Sequence, residues 1–196
     1  MTGKDIIKIT LNLVIVYLIG GLILAAVYAK TSPIIFKNDV AAKQAALKNL
    51  IPDADKIEKM GDLTSHEKHV EYFVARKGGD IIGYIVQSFG KGYSSYIDTF
   101  IAVDKNFTVE KISILHHEET PGLGDEIDTD SFQRQFKDKD LDHLKVVKTE
   151  TKDYIQAISG ATISSRAVTE DAVKHGVEAL IKAVKGGEWN GEHKQS

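Results

Sequence analysis

The chain has 196 residues, enough for one domain of ordinary size plus a short extra segment. Charged residues make up 27% and apolar residues 42%, a globular rather than a disordered balance, and the formal net charge is −3. The absence of cysteine excludes structural disulfides, cysteine-ligated zinc and cysteine-held iron–sulfur clusters.

Ile9 to Ala29, "ITLNLVIVYLIGGLILAAVYA", contains no charged residue. As a helix it would be about 31 Å long, close to the hydrocarbon thickness of a bilayer. The run exceeds the apolar core of a secretory signal, so it reads as a retained anchor in contact with lipid, with a signal cleaved at the Ala-Val-Tyr-Ala that ends the run as the alternative. Lys4 and Lys8 precede it and Lys30 and Lys37 follow it, so loop charge gives no orientation. Residues 30–196 carry a net charge of −4, which argues against nucleic acid as a partner, since phosphate binding wants a basic face.

Ser32 and Pro33 predict the cap and first turn of a new helix over 33–50, stopped by Pro52. Residues 52–68 read as a polar loop. Strands are predicted at 70–77 and 81–88 around a Gly78-Gly79-Asp80 turn. "YIDTFIAVD" and "FTVEKISILH" then predict two more around Asp104-Lys105-Asn106. A Pro/Gly-rich loop covers 118–128, followed by a short helix at 129–137 and strands near 144–148 and 154–158. The last helix, 163–184, turns Ile163, Ala167, Val173, Val177, Leu180, Ile181 and Val184 to one face. The organisation is an anchor (1–30), a linking helix (31–52), an α+β domain (53–187) and a polar tail (188–196) that includes Trp189.

Two loops have the chemistry of a binding site. "SGAT" (159–162) stands between a strand and a helix, where unpaired backbone N–H groups and the helix dipole favour an anion. Gly160 and Ala161 leave room for a bulky group, and Ser159, Thr162, Ser164 and Ser165 add hydroxyls. The plain alternative is a hydroxyl-capped helix start. "ETPGLG" (119–124) is a tight loop whose backbone can lie against a flat ligand. His116 and His117 in "HHEE" are adjacent in a strand and point to opposite faces, which disfavours a shared metal ion. His66 and His69 in "HEKH" lack the spacing of a helical zinc motif, and no dinucleotide fingerprint is present.

Taken together, "GYSSYIDTFIAVD", "HHEETPGLGDEI" and "ISGATISS" behind an N-terminal anchor resemble the FMN-binding G subunit of the Rnf complex, the ion-translocating ferredoxin:NAD oxidoreductase. The related C subunit of the sodium-translocating NADH:quinone oxidoreductase shares these motifs. The resemblance implies an α+β FMN-binding domain after a single transmembrane helix, with FMN attached covalently to Thr162 by a phosphoester. It implies attachment from FAD by a flavin transferase. Glu119, Thr120, Gly122, Leu123 and Gly124, with Tyr93 and Ser94, would lie near the flavin. Sequences that such transferases recognise commonly carry an acid three residues before the motif's Ser, where this chain has Gln156. The resemblance further implies an extracytoplasmic domain on the cell membrane, other redox subunits as partners, and no turnover by the chain alone. A membrane-tethered flavin sensor or assembly module is the rival from another class.

Overall fold

The computed structural model describes residues 3–65 and 68–186. His66 and Trp189 lie outside the described residues. The chain divides into two units, Met1–Lys43 and Gln44–Ser196.

In the first unit, nearly every described residue is exposed, including the apolar run. Helix α1 spans Gly3–Leu50 without a break, and it is long and apolar enough to cross a membrane. The predicted restart at Ser32 and Pro33 does not occur. Proline costs the helix only one backbone hydrogen bond, the one to the Ala29 carbonyl; one turn earlier the Thr31 hydroxyl donates back to the carbonyls of Val27 (2.9 Å) and Tyr28 (3.4 Å) within the continuous helix. α1 ends at Leu50, one residue before Ile51-Pro52, because a residue preceding proline is pushed out of the helical region.

The second unit is built on a five-stranded antiparallel meander: β1 (Lys56–Ser65), β2 (Lys68–Lys77), β3 (Asp80–Lys91), β4 (Tyr96–Asp104) and β5 (Val109–His116), paired in that order. β2 and β3 turn on Gly78 and Gly79, both at positive φ, as a two-residue hairpin requires. β1 corrects the predicted loop over 52–68. It is an edge strand whose alternation is broken by a bulge between Lys59 and Gly61. It is also studded with charges, including Lys59 with Glu71 at 2.7 Å and Lys59 with Asp62 at 2.8 Å. Charged, bulged edges are how sheets avoid pairing with other chains, and they hide the strand from a periodicity reading.

One sheet face carries Val86, Ile97, Ile101, Val103 and Ile112 against the C-terminal helix. The other carries Phe73, Ala75, Ile85, Phe100 and Ala102 against Leu50 and Ile51. After β5, a 3-10 turn (Gly124–Asp128) leads to α2 (Asp130–Gln133), which continues as a 3-10 turn over Arg134–Phe136. Two short strands, β6 (Val146–Val147) and β7 (Ile155–Gln156), pair in parallel and are shorter than predicted. The C-terminal helix begins as α3 (Thr162–Arg166), widens into a π-helical stretch over Ala167–Lys174 and continues as α4 (His175–Lys185). Ala167, Val173, Val177 and Leu180 are buried as predicted; Ile163 is 54% exposed and does not join that face.

Candidate functional site

Topology gathers the two suspect loops at one end of the sheet. Lys91 pairs with Tyr96 and Asp98 with His116, so β3 ends, β4 begins and β5 ends together. The 92–95 turn and the segment after His116 are thus neighbours. The C-terminal helix starts at the same end, because Gly90 lies directly against the Ala167 backbone. A Cβ at Gly90 would collide with that carbonyl oxygen.

Both loops are built on turns with the signature of type II, in which the third residue needs φ above zero. In the first, Pro121 and Gly122 (φ +73°) sit between Thr120 and Leu123, whose N–H donates to the Thr120 carbonyl at 3.2 Å. In the second, Ser159 and Gly160 (φ +79°) sit between Ile158 and Ala161, whose N–H donates to the Ile158 carbonyl at 3.0 Å. α3 then begins with Ala161 as its N-cap, and no side chain caps it. The predicted hydroxyl cap is therefore not what "SGAT" supplies. The first-turn N–H groups receive no cap from a side chain, leaving the helix start receptive to an anion.

Between the turns lies a cavity of about 370 Å³, lined by Tyr93, Glu119, Thr120, Leu123, Gly124, Gly160, Ala161, Thr162, Ile163 and Ser164. Its size falls within the range of small-molecule sites. Nine predicted site residues meet there. Ser94, Gly122, Ser159 and Ser165 do not line it. Gly122 shapes the first turn and Ser159 occupies the second, while Ser165 is fully buried. Its hydroxyl accepts from the Ile158 N–H (3.0 Å) and donates to the Ala161 carbonyl (2.9 Å), pinning the turn to the helix. Ile163 is the lining residue that periodicity missed: it satisfies the helical repeat but projects from the first turn toward the cavity mouth. Tyr93 (71% exposed) and Leu123 (45%) complete an apolar rim.

Among the described residues, the lining contains one carboxylate and no Lys, Arg or His. That carboxylate, Glu119, is 5% exposed. Its Oε1 accepts from the amides of Ser94 (2.9 Å) and Ser95 (3.2 Å). Its Oε2 accepts from the Tyr93 amide (3.1 Å) and the Ser164 hydroxyl (2.5 Å). Burial pushes the carboxyl pKa up, but the bonds from Ser164, Ser94, Ser95 and Tyr93 outweigh it and hold the group below its ordinary value. The Glu119 N–H in turn donates to His117 Nδ1 (3.1 Å), whose Nε2 meets Asp128 at 2.9 Å. That chain of bonds ties the loop to the end of the 3-10 turn. His116 points the other way and is exposed.

Thr162 is half-buried, at the first position of α3 and in the cavity wall. Ser164 and Ser165, by contrast, are buried and engaged.

Residues 92–178 match the FMN-binding domain family, a stretch that includes every cavity-lining residue named above. The chain is 43% identical, over 90% of its length and 92% of the relative's, to the G subunit of the proton-translocating ferredoxin:NAD(+) oxidoreductase complex of Clostridium ljungdahlii. It is 28% identical to the G subunit of the Na(+)-translocating ferredoxin:NAD(+) oxidoreductase complex of Acetobacterium woodii, covering 85% of this chain and 87% of that one. Among solved structures, Shewanella oneidensis NqrC shares the fold at a TM-score of 0.53 and 22% identity, over 70% of this chain and 74% of that one. On the extent and identity of the first match, the chain belongs to the family of G subunits of ion-translocating ferredoxin:NAD oxidoreductase complexes, the Rnf complexes.

Proposed function

We propose that this chain is the flavin-bearing electron-transfer subunit of a membrane-bound, ion-translocating ferredoxin:NAD oxidoreductase, with FMN joined to Thr162 by a phosphoester. The observation that carries this reading is that the motif "SGATISS" presents one of its hydroxyls to the cavity. In "SGATISS", Ser164 and Ser165 are buried and committed to other partners, and Ser159 does not face the cavity. Thr162 alone is part-exposed and in the cavity wall, at a helix start with no side-chain cap.

The residues fit the group. A phosphodiester is a monoanion that first-turn N–H groups can hold without a basic side chain, and among the described residues the lining has none. Gly124 and Gly160 keep the walls low, and Tyr93, Leu123 and Ile163 offer apolar surface to a flat ring. Attachment would consume FAD: a Thr162 Oγ–P bond forms, the pyrophosphate P–O bond breaks, AMP leaves, and the hydroxyl proton passes to the transferase or to water. Once bound, the flavin supplies one- and two-electron chemistry, while the protein fixes its position and surroundings.

The apolar length of α1 supports a single-pass anchor in the cell membrane, and membership of the family supports the other subunits of the complex as redox partners and the flavin domain outside the cytoplasm. Covalent attachment suits that location, where a lost flavin could not be replaced from a cytoplasmic pool. The reading is tested in native membranes fed with reduced ferredoxin. The flavin on this chain is expected to bleach and to recover when NAD⁺ is added. A flavin that stays oxidised throughout overturns the carrier role and favours a sensor or assembly module.

A further inference from the structure

We infer that Glu119 is a positioning residue: its buried carboxylate clasps the 92–95 turn to the first turn of the C-terminal helix, and so holds Thr162 in place before any cofactor is attached. The inference rests on the reading of Thr162 as the attachment point. It assigns Glu119 a role different from contact with the flavin ring.

The four donors come from two segments that no strand ladder joins. Three are consecutive amides of the β3–β4 turn, Tyr93 to Ser95, and the fourth is the hydroxyl of Ser164, two residues beyond Thr162. A carboxylate offers about four lone-pair directions, and here four donors occupy them. No acceptor capacity is left over for a ligand, although the side chain forms part of the cavity wall.

The surroundings are shaped to the clasp. A Cβ at Gly92 would collide with Glu119 Oε1. One at Gly124 would sit 2.8 Å from the Ser164 hydroxyl and 2.9 Å from Glu119 Oε2. On the other side, Ser165 anchors the same helix turn to Ile158 and Ala161. Thr162 therefore stands between two fixed points, one facing the 92–95 turn and one facing its own loop.

An amide cannot replace the carboxylate. With either orientation of a glutamine, its –NH₂ would face at least one of the three backbone N–H groups, donor against donor. Ser164→Ala is the complementary change, since it removes only the link to the helix and leaves the three amides bonded.

The test uses the full chain in detergent micelles, as wild type, Glu119→Gln and Ser164→Ala. Amide hydrogen exchange is read by mass spectrometry before flavin attachment, and transfer from FAD by a flavin transferase is timed afterwards. In Glu119→Gln, exchange should accelerate about tenfold or more at both 93–95 and 165–167, the bonded amides of the first helical turn, with β3 and β4 unchanged. In Ser164→Ala only 165–167 should accelerate. For both variants kcat of transfer should fall about tenfold while KM for the chain stays within about twofold, because the surface around "SGAT" is kept. If Glu119→Gln loosens the whole sheet, Ser164→Ala decides alone. Unchanged exchange at 165–167 in that variant, or transfer at the wild-type kcat, overturns the inference. If active transferase leaves wild-type Thr162 unmodified, the attachment reading fails by itself, and the exchange data decide whether the clasp exists.

Discussion

A buried carboxylate kept charged by four donors links stability to pH in one direction. Glu119 has its folded-state pKa below the ordinary value of 4.5, so it contributes stability fully above that value and loses it as pH falls through the lower folded value. The advantage of wild type over Glu119→Gln in urea unfolding should therefore be about 1–3 kcal/mol near neutrality. It should shrink as pH drops below 4.5; an advantage constant down to the acid limit would contradict the assignment. Gly160, at φ +79° with Leu123 Cδ2 3.1 Å from where a Cβ would be, tests the second turn. Gly160→Ala is expected to cost about 1–2 kcal/mol in the same measurement, and a neutral result would contradict the strained turn. At this scale the sequence was informative where chemistry clusters, since Thr162, Glu119 and the glycines stand in short motifs. It was silent on Ser164 and Ser165. Both look like further binding hydroxyls in "ISS", and only the fold reveals that they are turned inward as fasteners.

Strands β2 to β5 were legible because apolar alternation and turn residues agree along them. β1 was not, since its bulge at Lys59/Gly61 shifts the alternation and its charges imitate a loop. Those charges are exposed, and Lys59→Ala is expected to change stability by no more than about 1 kcal/mol in urea unfolding. A larger loss would mean that the edge depends on its ion pairs. The C-terminal helix was legible in extent but not in winding. The π-helical stretch over Ala167–Lys174 breaks the 3.6-residue repeat, so Val168, Thr169 and Ala172 are buried beyond the predicted stripe. That stretch begins where Gly90 brings strand and helix backbones together. Gly90→Ala must separate them and should cost about 3 kcal/mol or more. It should also reduce flavin attachment, because the helix start moves with it. A variant within about 1 kcal/mol of wild type would contradict this packing.

Across the whole chain, the long apolar helix ahead of a folded unit was legible from hydropathy, and the convergence of the two loops was implied by the family resemblance. What no local pattern could show is why they converge: a meander that brings the ends of β3, β4 and β5 together, and a helix drawn to the same end by Gly90. The second unit has its own core on both faces of its sheet, including Leu50 and Ile51. A chain beginning at Gln44 is expected to stay monodisperse without detergent and keep cooperative unfolding. Aggregation or loss of the transition would show that the domain needs residues 1–43. The central claim, that Thr162 carries the flavin, is tested most directly by intact mass spectrometry of the membrane-extracted, denatured protein, made with an active flavin transferase, beside Thr162→Val. The wild type should be heavier by one FMN less one water and the variant should have its bare mass. An unmodified wild type, or an adduct that persists in Thr162→Val, would contradict the claim.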